Sequence, residues 1–197
     1  VESKKLTSYS GTAPSGWTFY GWSTTQDGTG ITYTDGQSVK NLTSEANGNI
    51  YLYAVFKKDI NVYNGANKNT NNKVTQYYNP YKTDKLTSIS LAAPKAISYW
   101  TKLGYRGDTT ATTAETTVTD SAVSITPAWN ATANYYAVYS RTLTVSYNGN
   151  TNTGGSTGNT TKTIYLNSNS TTTSDQTITL ANNGFTKTGY TFIKWTT

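Results

Sequence analysis

The chain has 197 residues, a net charge of +6 and no cysteine, histidine or methionine. Without His and Cys it lacks the commonest general base, the usual nucleophile–base pairs and the usual zinc ligands. Charged residues make up 13%, about half the share of an ordinary domain; Thr, Asn, Ser, Gly and Tyr stand in their place.

In chain order, Lys4 to Ser15 reads as a connector closed by Pro14, and Thr18 to Ser23 as a strand. Asp27-Gly28 and Asp35-Gly36 are tight-turn signals around Ile31-Thr32-Tyr33. Ile50 to Phe56 is apolar on both faces, with Tyr51, Tyr53 and Val55 on one and Leu52, Ala54 and Phe56 on the other, which predicts a central strand. Lys57-Lys58-Asp59 then reads as a short joint. Ile60 to Tyr63 opens the next stretch, Asn64 to Lys73 is a Gly/Asn-rich loop, and Val74 to Tyr78 pairs back as a hairpin. Residues 84–96, between Pro80 and Pro94, are the best place for a short helix, with Leu86, Ile89 and Ala93 toward the sheet. Strands are expected at Ile97 to Leu103, Thr116 to Ile125 and Tyr135 to Tyr139, then a second joint at Ser140-Arg141. Thr142 to Tyr147, Thr161 to Leu166, Gln176 to Leu180 and Tyr190 to Trp195 complete the list.

Two landmarks return. Gly16-Trp17-Thr18-Phe19-Tyr20-Gly21-Trp22 comes back as Gly189-Tyr190-Thr191-Phe192-Ile193-Lys194-Trp195, with a weaker form at Leu103-Gly104-Tyr105-Arg106-Gly107-Asp108 that sets Tyr105 against Phe19. Tyr51-Leu52-Tyr53-Ala54-Val55-Phe56 comes back as Asn134-Tyr135-Tyr136-Ala137-Val138-Tyr139. The period is roughly 83–87 residues, longer than the units of a solenoid and suited to a string of small domains. Residues 1–57 are the back part of a first copy, 58–139 a complete second copy and 140–197 the front part of a third, which reads as one stretch of a longer array.

These motifs resemble the Listeria–Bacteroides repeat, also called the internalin B-type repeat, of bacterial surface proteins. The resemblance covers most of the chain and implies mainly β or α+β architecture with little helix, in tandem ubiquitin-like β-grasp units held at a cell surface. In the middle copy Leu103 and Asp108 stand where the pattern has an aromatic and its second Trp, so Trp100 or Trp129 is expected to fill that core instead.

The recurring large residues are expected to be structural: Trp17, Phe19, Trp22, Tyr53, Val55, Tyr105, Tyr136, Val138, Tyr190, Phe192 and Trp195. Tyr77, Tyr78 and Tyr81 beside Lys82 form a candidate surface for stacking sugars. None of the ten carboxylates recurs at equivalent positions, so the expectation is no enzyme, no cofactor and no metal; Asp27-Gly28-Thr29-Gly30 lacks the acidic ligands of a calcium loop. Arg106-Gly107-Asp108 spells the integrin tripeptide by chance, and a lysine–asparagine isopeptide bond has no sequence signature to support it. The sequons at Asn41, Asn130, Asn159 and Asn169 follow from composition.

Basic runs are no longer than pairs, so no specific nucleic-acid site is expected, and no run of about 18 apolar residues spans a membrane. The expected role is an extracellular spacer in an adhesin-like protein of a bacterial surface or wall, in contact with neighbouring repeats. The alternative is a module binding host-surface or wall glycans or anionic polymers. Edge strands rich in Thr and Tyr leave self-association open.

Overall fold

A computed structural model describes residues 2–28, 30, 32–80, 85–170 and 176–197; Ile31, Tyr81, Lys82 and Asp84 lie outside these. The strands in chain order are β1 (Lys4–Lys5), β2 (Thr18–Ser23), β3 (Thr32–Tyr33), β4 (Ser38–Val39), β5 (Tyr53–Tyr63), β6 (Asn71–Asn79), β7 (Lys85–Leu86), β8 (Ile89–Leu91), β9 (Thr101–Arg106), β10 (Thr116–Thr117), β11 (Val123–Ile125), β12 (Asn134–Val145), β13 (Gly154–Gly155), β14 (Thr160–Asn167) and β15 (Phe185–Thr186). Helix is confined, among the described residues, to one 3₁₀ turn at Ala66–Lys68. The protein is mainly β.

Nine strands form one sheet whose spine is β10-β9-β12-β5-β2-β3, with β14 beside β12, β6 beside β5, and β7 beside β6. The two longest strands organise it. β5 runs unbroken through Lys57-Lys58-Asp59, and β12 unbroken through Ser140-Arg141. The expected joints are therefore strand interiors. Alternation explains this at β5: Lys57 and Asp59 face outward while Lys58 and Ile60 turn in, so a charged triplet fits a two-sided strand.

Pairing registers fix which residues are equivalent. β2 pairs antiparallel with β5, placing Trp22 opposite Ala54 and Gly21 opposite Val55. β9 pairs likewise with β12, placing Tyr105 opposite Ala137 and Gly104 opposite Val138. A register shift lies between Phe19 and Gly21 in one ladder and between Val138 and Tyr139 in the other. Trp22 thus corresponds to Tyr105, at the offset that separates Tyr53 from Tyr136. The expected alignment of Phe19 with Tyr105 is corrected: Tyr105, not a missing residue at Asp108, takes the Trp position. A Cβ on Gly21 would meet the Tyr33 carbonyl oxygen at 2.5 Å, and one on Gly104 (φ +134°) would lie closer still to the Thr116 carbonyl oxygen, so both glycines let the next strand approach.

The main core lies mostly within residues 58–139. Ile60, Val62, Ile89, Leu91, Tyr105, Val118, Ala137 and Tyr139 pack together, and Leu166 of β14 joins them from the following copy. Trp100 packs against this cluster, whereas Trp129 is largely exposed. The helix expected over 84–96 is absent in its described part: β8 pairs antiparallel with β11, Ile89 opposite Ile125. Ile89 and Leu91 are buried and Ser90 exposed, so the period of two there outweighed the helical spacing of Leu86, Ile89 and Ala93.

Among the other expected core residues, Trp17, Val55, Tyr136 and Val138 are buried, and Phe19, Trp22, Tyr53 and Trp195 are half-buried. Tyr190 is 74% exposed and Phe192 45%, a correction with a clear cause. Among the described residues no strand pairs with 190–195 as β5 pairs with β2. Lys187 and Tyr190 make an isolated bridge only, and 176–180 is likewise irregular rather than a strand.

Candidate functional site

The chemically distinctive groups sit along the two long strands β5 and β12. At the first junction Lys58, 6% exposed, donates to the main-chain carbonyls of Trp129 at 2.8 Å and Ala131 at 2.9 Å. Its ammonium also lies 4.8 Å from the centre of the Trp17 ring, and the Trp17 indole N–H donates to the same Trp129 carbonyl at 2.8 Å. No carboxylate takes part. Burial lowers the Lys58 pKa, and two carbonyl dipoles with an aromatic face hold the charge instead. The arrangement joins Trp17, just before β2, to the 129–131 loop across Lys58 of β5.

A second tie recurs. The β5–β6 ladder ends with Phe56 opposite Tyr78, and Asn79 is the next residue; in β12–β14 Tyr139 faces Leu166, and Asn167 is the next residue. Asn79 and Asn167 are therefore equivalent, and each is 2% exposed. The Asn79 amide donates to the Gln26 carbonyl, in the turn after β2. The Asn167 amide donates at 3.1 Å to the carbonyls of Asp108 and Thr110, in the turn after β9. Asn79 thus fastens the turn after β2 and Asn167 the turn after β9. Ser168 adds a bond from its hydroxyl to the Tyr63 carbonyl at 3.0 Å. These asparagines were not singled out from sequence; the signal was an Asn closing each second strand, in Tyr78-Asn79 and Leu166-Asn167.

The candidate sugar-stacking cluster separates. Tyr77 and Tyr78 alternate on β6. Tyr77 packs on Tyr20 at 4.8 Å on the face of Lys57, which lies 6.0 Å from the Tyr20 ring. Tyr78 packs on Trp17 at 5.3 Å on the other face. Tyr81 and Lys82 fall outside the described residues. Further along the first face Tyr63 stacks on Tyr136 at 5.2 Å with Lys68 5.7 Å from both rings.

Arg106 and Asp108 are turned toward each other rather than outward: Nε and Nη2 donate to the two carboxylate oxygens at 3.0 and 2.8 Å, and Nη2 also meets Glu115 at 3.0 Å. The Arg106 guanidinium holds the Asp108 carboxyl well below the usual carboxylate range. Among the described residues no three His, Cys, Asp or Glu side chains gather as metal ligands.

Beside the first copy lies an open cleft lined by Leu6, Thr7, Trp22, Ile50 and Leu52. The Trp22 indole N–H is out of solvent and has no hydrogen-bond partner among the described residues. Its equivalents are satisfied: the Tyr105 hydroxyl donates to the Ala92 carbonyl at 2.6 Å, and the Trp195 indole to the Ala181 carbonyl at 3.0 Å.

Neither a family model, nor a curated protein, nor a solved structure matches the chain. No helix among the described residues is long and apolar enough to cross a membrane.

Proposed function

We propose that the chain is a stiff spacer, a run of β-grasp repeats within a bacterial surface protein, placed outside the cell to carry an adhesive part away from the wall. The observation that carries this reading is the sharing of strands. β5 closes one copy and opens the next, β12 does the same, and the equivalent Asn79 and Asn167 fasten each junction from the side. A hinge needs residues free to change φ and ψ, whereas β5 stays paired with β6 from Phe56 to Tyr63 and β12 with β14 from Val138 to Val145, straight through both junctions. The β-grasp assignment is supported by residues 58–139, where the first and last strands are parallel neighbours, Asn61 opposite Asn134 and Tyr63 opposite Tyr136. The order β6-β5-β12-β9-β10 follows, and the β8–β11 pair covers the sheet where a crossover helix was expected. Small-angle scattering tests stiffness: one fixed end-to-end length, unchanged by salt, is expected. A broad distribution of lengths sinks the reading.

A second reading, glycan binding, is favoured by the face bearing Tyr20, Lys57 and Tyr77. Binding to a wall-polymer array that survives physiological salt and falls on Tyr20→Ala and Tyr77→Ala would support it; binding lost with salt, or none, counts against it.

A further inference from the structure

The turn held by Lys58 and Trp17 carries one large side chain, and that side chain faces solvent. Four hydrogen bonds from the buried side chains of Gln76, Lys58 and Trp17 pin its main chain. Gln76 donates to the Pro127 carbonyl at 2.7 Å, Lys58 to the carbonyls of Trp129 and Ala131, and the Trp17 indole to that of Trp129. The Ala131 N–H closes the turn on the Ala128 carbonyl at 2.9 Å. All of these bonds end on carbonyl oxygens. None engages the Trp129 side chain, which is 47% exposed.

The offset that takes Trp22 to Tyr105 also takes the 45–48 turn to 128–131. There the Gly48 N–H donates to the Glu45 carbonyl at 3.2 Å, the same closure, and Ala46 stands in the place of Trp129. The turn therefore closes without a large residue at its tip, and Trp129 is an addition to it. Burying an ammonium with no carboxylate costs free energy; what it secures here is a fixed main chain beneath an exposed indole. A ring already in place loses little freedom when a ligand covers it.

The surroundings select the ligand. From Thr126 to Thr132 the chain carries no charge, and the cation beneath is 6% exposed and committed to two carbonyls. A nucleic acid or an acidic peptide needs exposed cations. A protein partner needs further apolar side chains around its anchor, and the turn places only Ala128 and Asn130 beside Trp129. A neutral sugar needs one flat apolar surface for its ring and polar groups such as the exposed Asn130 for its hydroxyls. We infer that Trp129 is a stacking platform for a neutral pyranose ring of a glycan chain. The turn lies on the Lys58 side of β5, opposite the face of Tyr20, Lys57 and Tyr77. Binding there is independent of both proposed functions: a stiff chain that takes no sugar at Trp129 leaves the spacer reading intact.

The Trp129 indole N–H signal in a proton–nitrogen NMR spectrum, assigned by its loss in Trp129→Phe, tests this. Titration with neutral hexasaccharides of the cellulose, chitin and mannan types is expected to move that signal saturably with at least one of them, equally at low and at physiological salt. No movement with any of them overturns the inference, as does movement that salt abolishes. Movement on raising the protein concentration alone overturns it too, making the ring a contact between copies of this chain. Trp129→Ala, at an exposed side chain, is expected to keep its melting temperature and lose the binding. Binding that survives in Trp129→Ala and is lost in Tyr20→Ala and Tyr77→Ala overturns this site and supports the glycan reading of the other face. Lys58→Met keeps the ring and loosens the turn, and is expected to weaken binding about fivefold; an unchanged affinity overturns the claim that the pinned turn prepares the ring.

Discussion

The two junctions share a frame and differ in what is placed upon it. Both have a continuous long strand, a bulged Gly-aromatic strand on one side and an Asn latch on the other. At the first, Lys58 is buried between Trp17 and the 129–131 loop. At the second its equivalent, Arg141, is exposed and lies 5.7 Å over Tyr99. The frame needs only strand continuity and a buried amide; the cation becomes structural only where a loop supplies carbonyls. On the proposed spacer reading, stiffness would follow from the frame that both junctions share, and the buried lysine belongs to one junction alone.

The comparison breaks most visibly at the aromatic position common to the copies. Tyr105→Ala opens a hole in a closed core and should cost about 3–5 kcal/mol, whereas Trp22→Ala, beside an open cleft, should cost less; urea melts of both compare them directly. Equal losses would mean that the first copy is as well packed as the second. Asn79→Leu and Asn167→Leu each strand main-chain carbonyls and should cost about 1–3 kcal/mol. If scattering then shows a wider range of lengths, the latches set the stiffness; if stability falls but lengths hold, the long strands suffice. Lys58→Met should cost about 1–2 kcal/mol and Arg141→Met no more than about 0.5 kcal/mol, and the reverse order would undo the contrast between the junctions.

Alkaline titration sharpens the same contrast. Tyr139, whose equivalent in the first copy is Phe56, donates to the Asn64 and Lys95 carbonyls at 3.1 and 3.0 Å. Burial pushes its hydroxyl up to about 12, against about 10 in an unfolded chain. The folded state thus keeps a proton that the unfolded state loses. Its contribution is whole below about pH 10 and disappears as pH climbs through about 12. Tyr139→Phe should flatten that part of the stability curve, read as denaturation midpoints from pH 9 to 12; a curve of unchanged slope removes Tyr139 from the account. The smallest expected effect is at Asp108. Its depressed value means a contribution present above about pH 4 and lost under acid, and Asp108→Ala should leave cell attachment unchanged.

How much of this was legible depended on local patterning. Thr18–Ser23 was readable because it is rich in aromatic residues; the turns at Gly28 and Gly36 were readable as Asp-Gly pairs, and both glycines adopt positive φ, at +74° and +62°. The junctions were misread because Lys57-Lys58-Asp59 has the composition of a linker, and only tertiary partners reveal that Lys58 points inward. The helix over 84–96 was misread because three apolar residues fit a helical spacing while Ile89 and Leu91 were answering to β11. The copies were matched three residues out of register because Gly-Tyr was aligned to a Phe by type, when the feature held in common is a Gly against the neighbouring strand's backbone. Nothing local in Asn79 or Asn167 says that the partner lies in the preceding copy.

The parallel pairing of β5 with β12 has one more consequence, under load. Tension entering at the start of β5 and leaving at the end of β12 pulls two adjacent strands along their own axes in opposite directions. The three backbone pairs from Asn61 to Tyr63, the Asn61–Asn134 side-chain bond at 3.0 Å and the Tyr63–Tyr136 stack are then strained together rather than peeled apart in sequence. Resistance to pulling is a matter of the unfolding barrier and not of equilibrium stability, so a unit of modest thermal stability built this way gives late and abruptly when stretched.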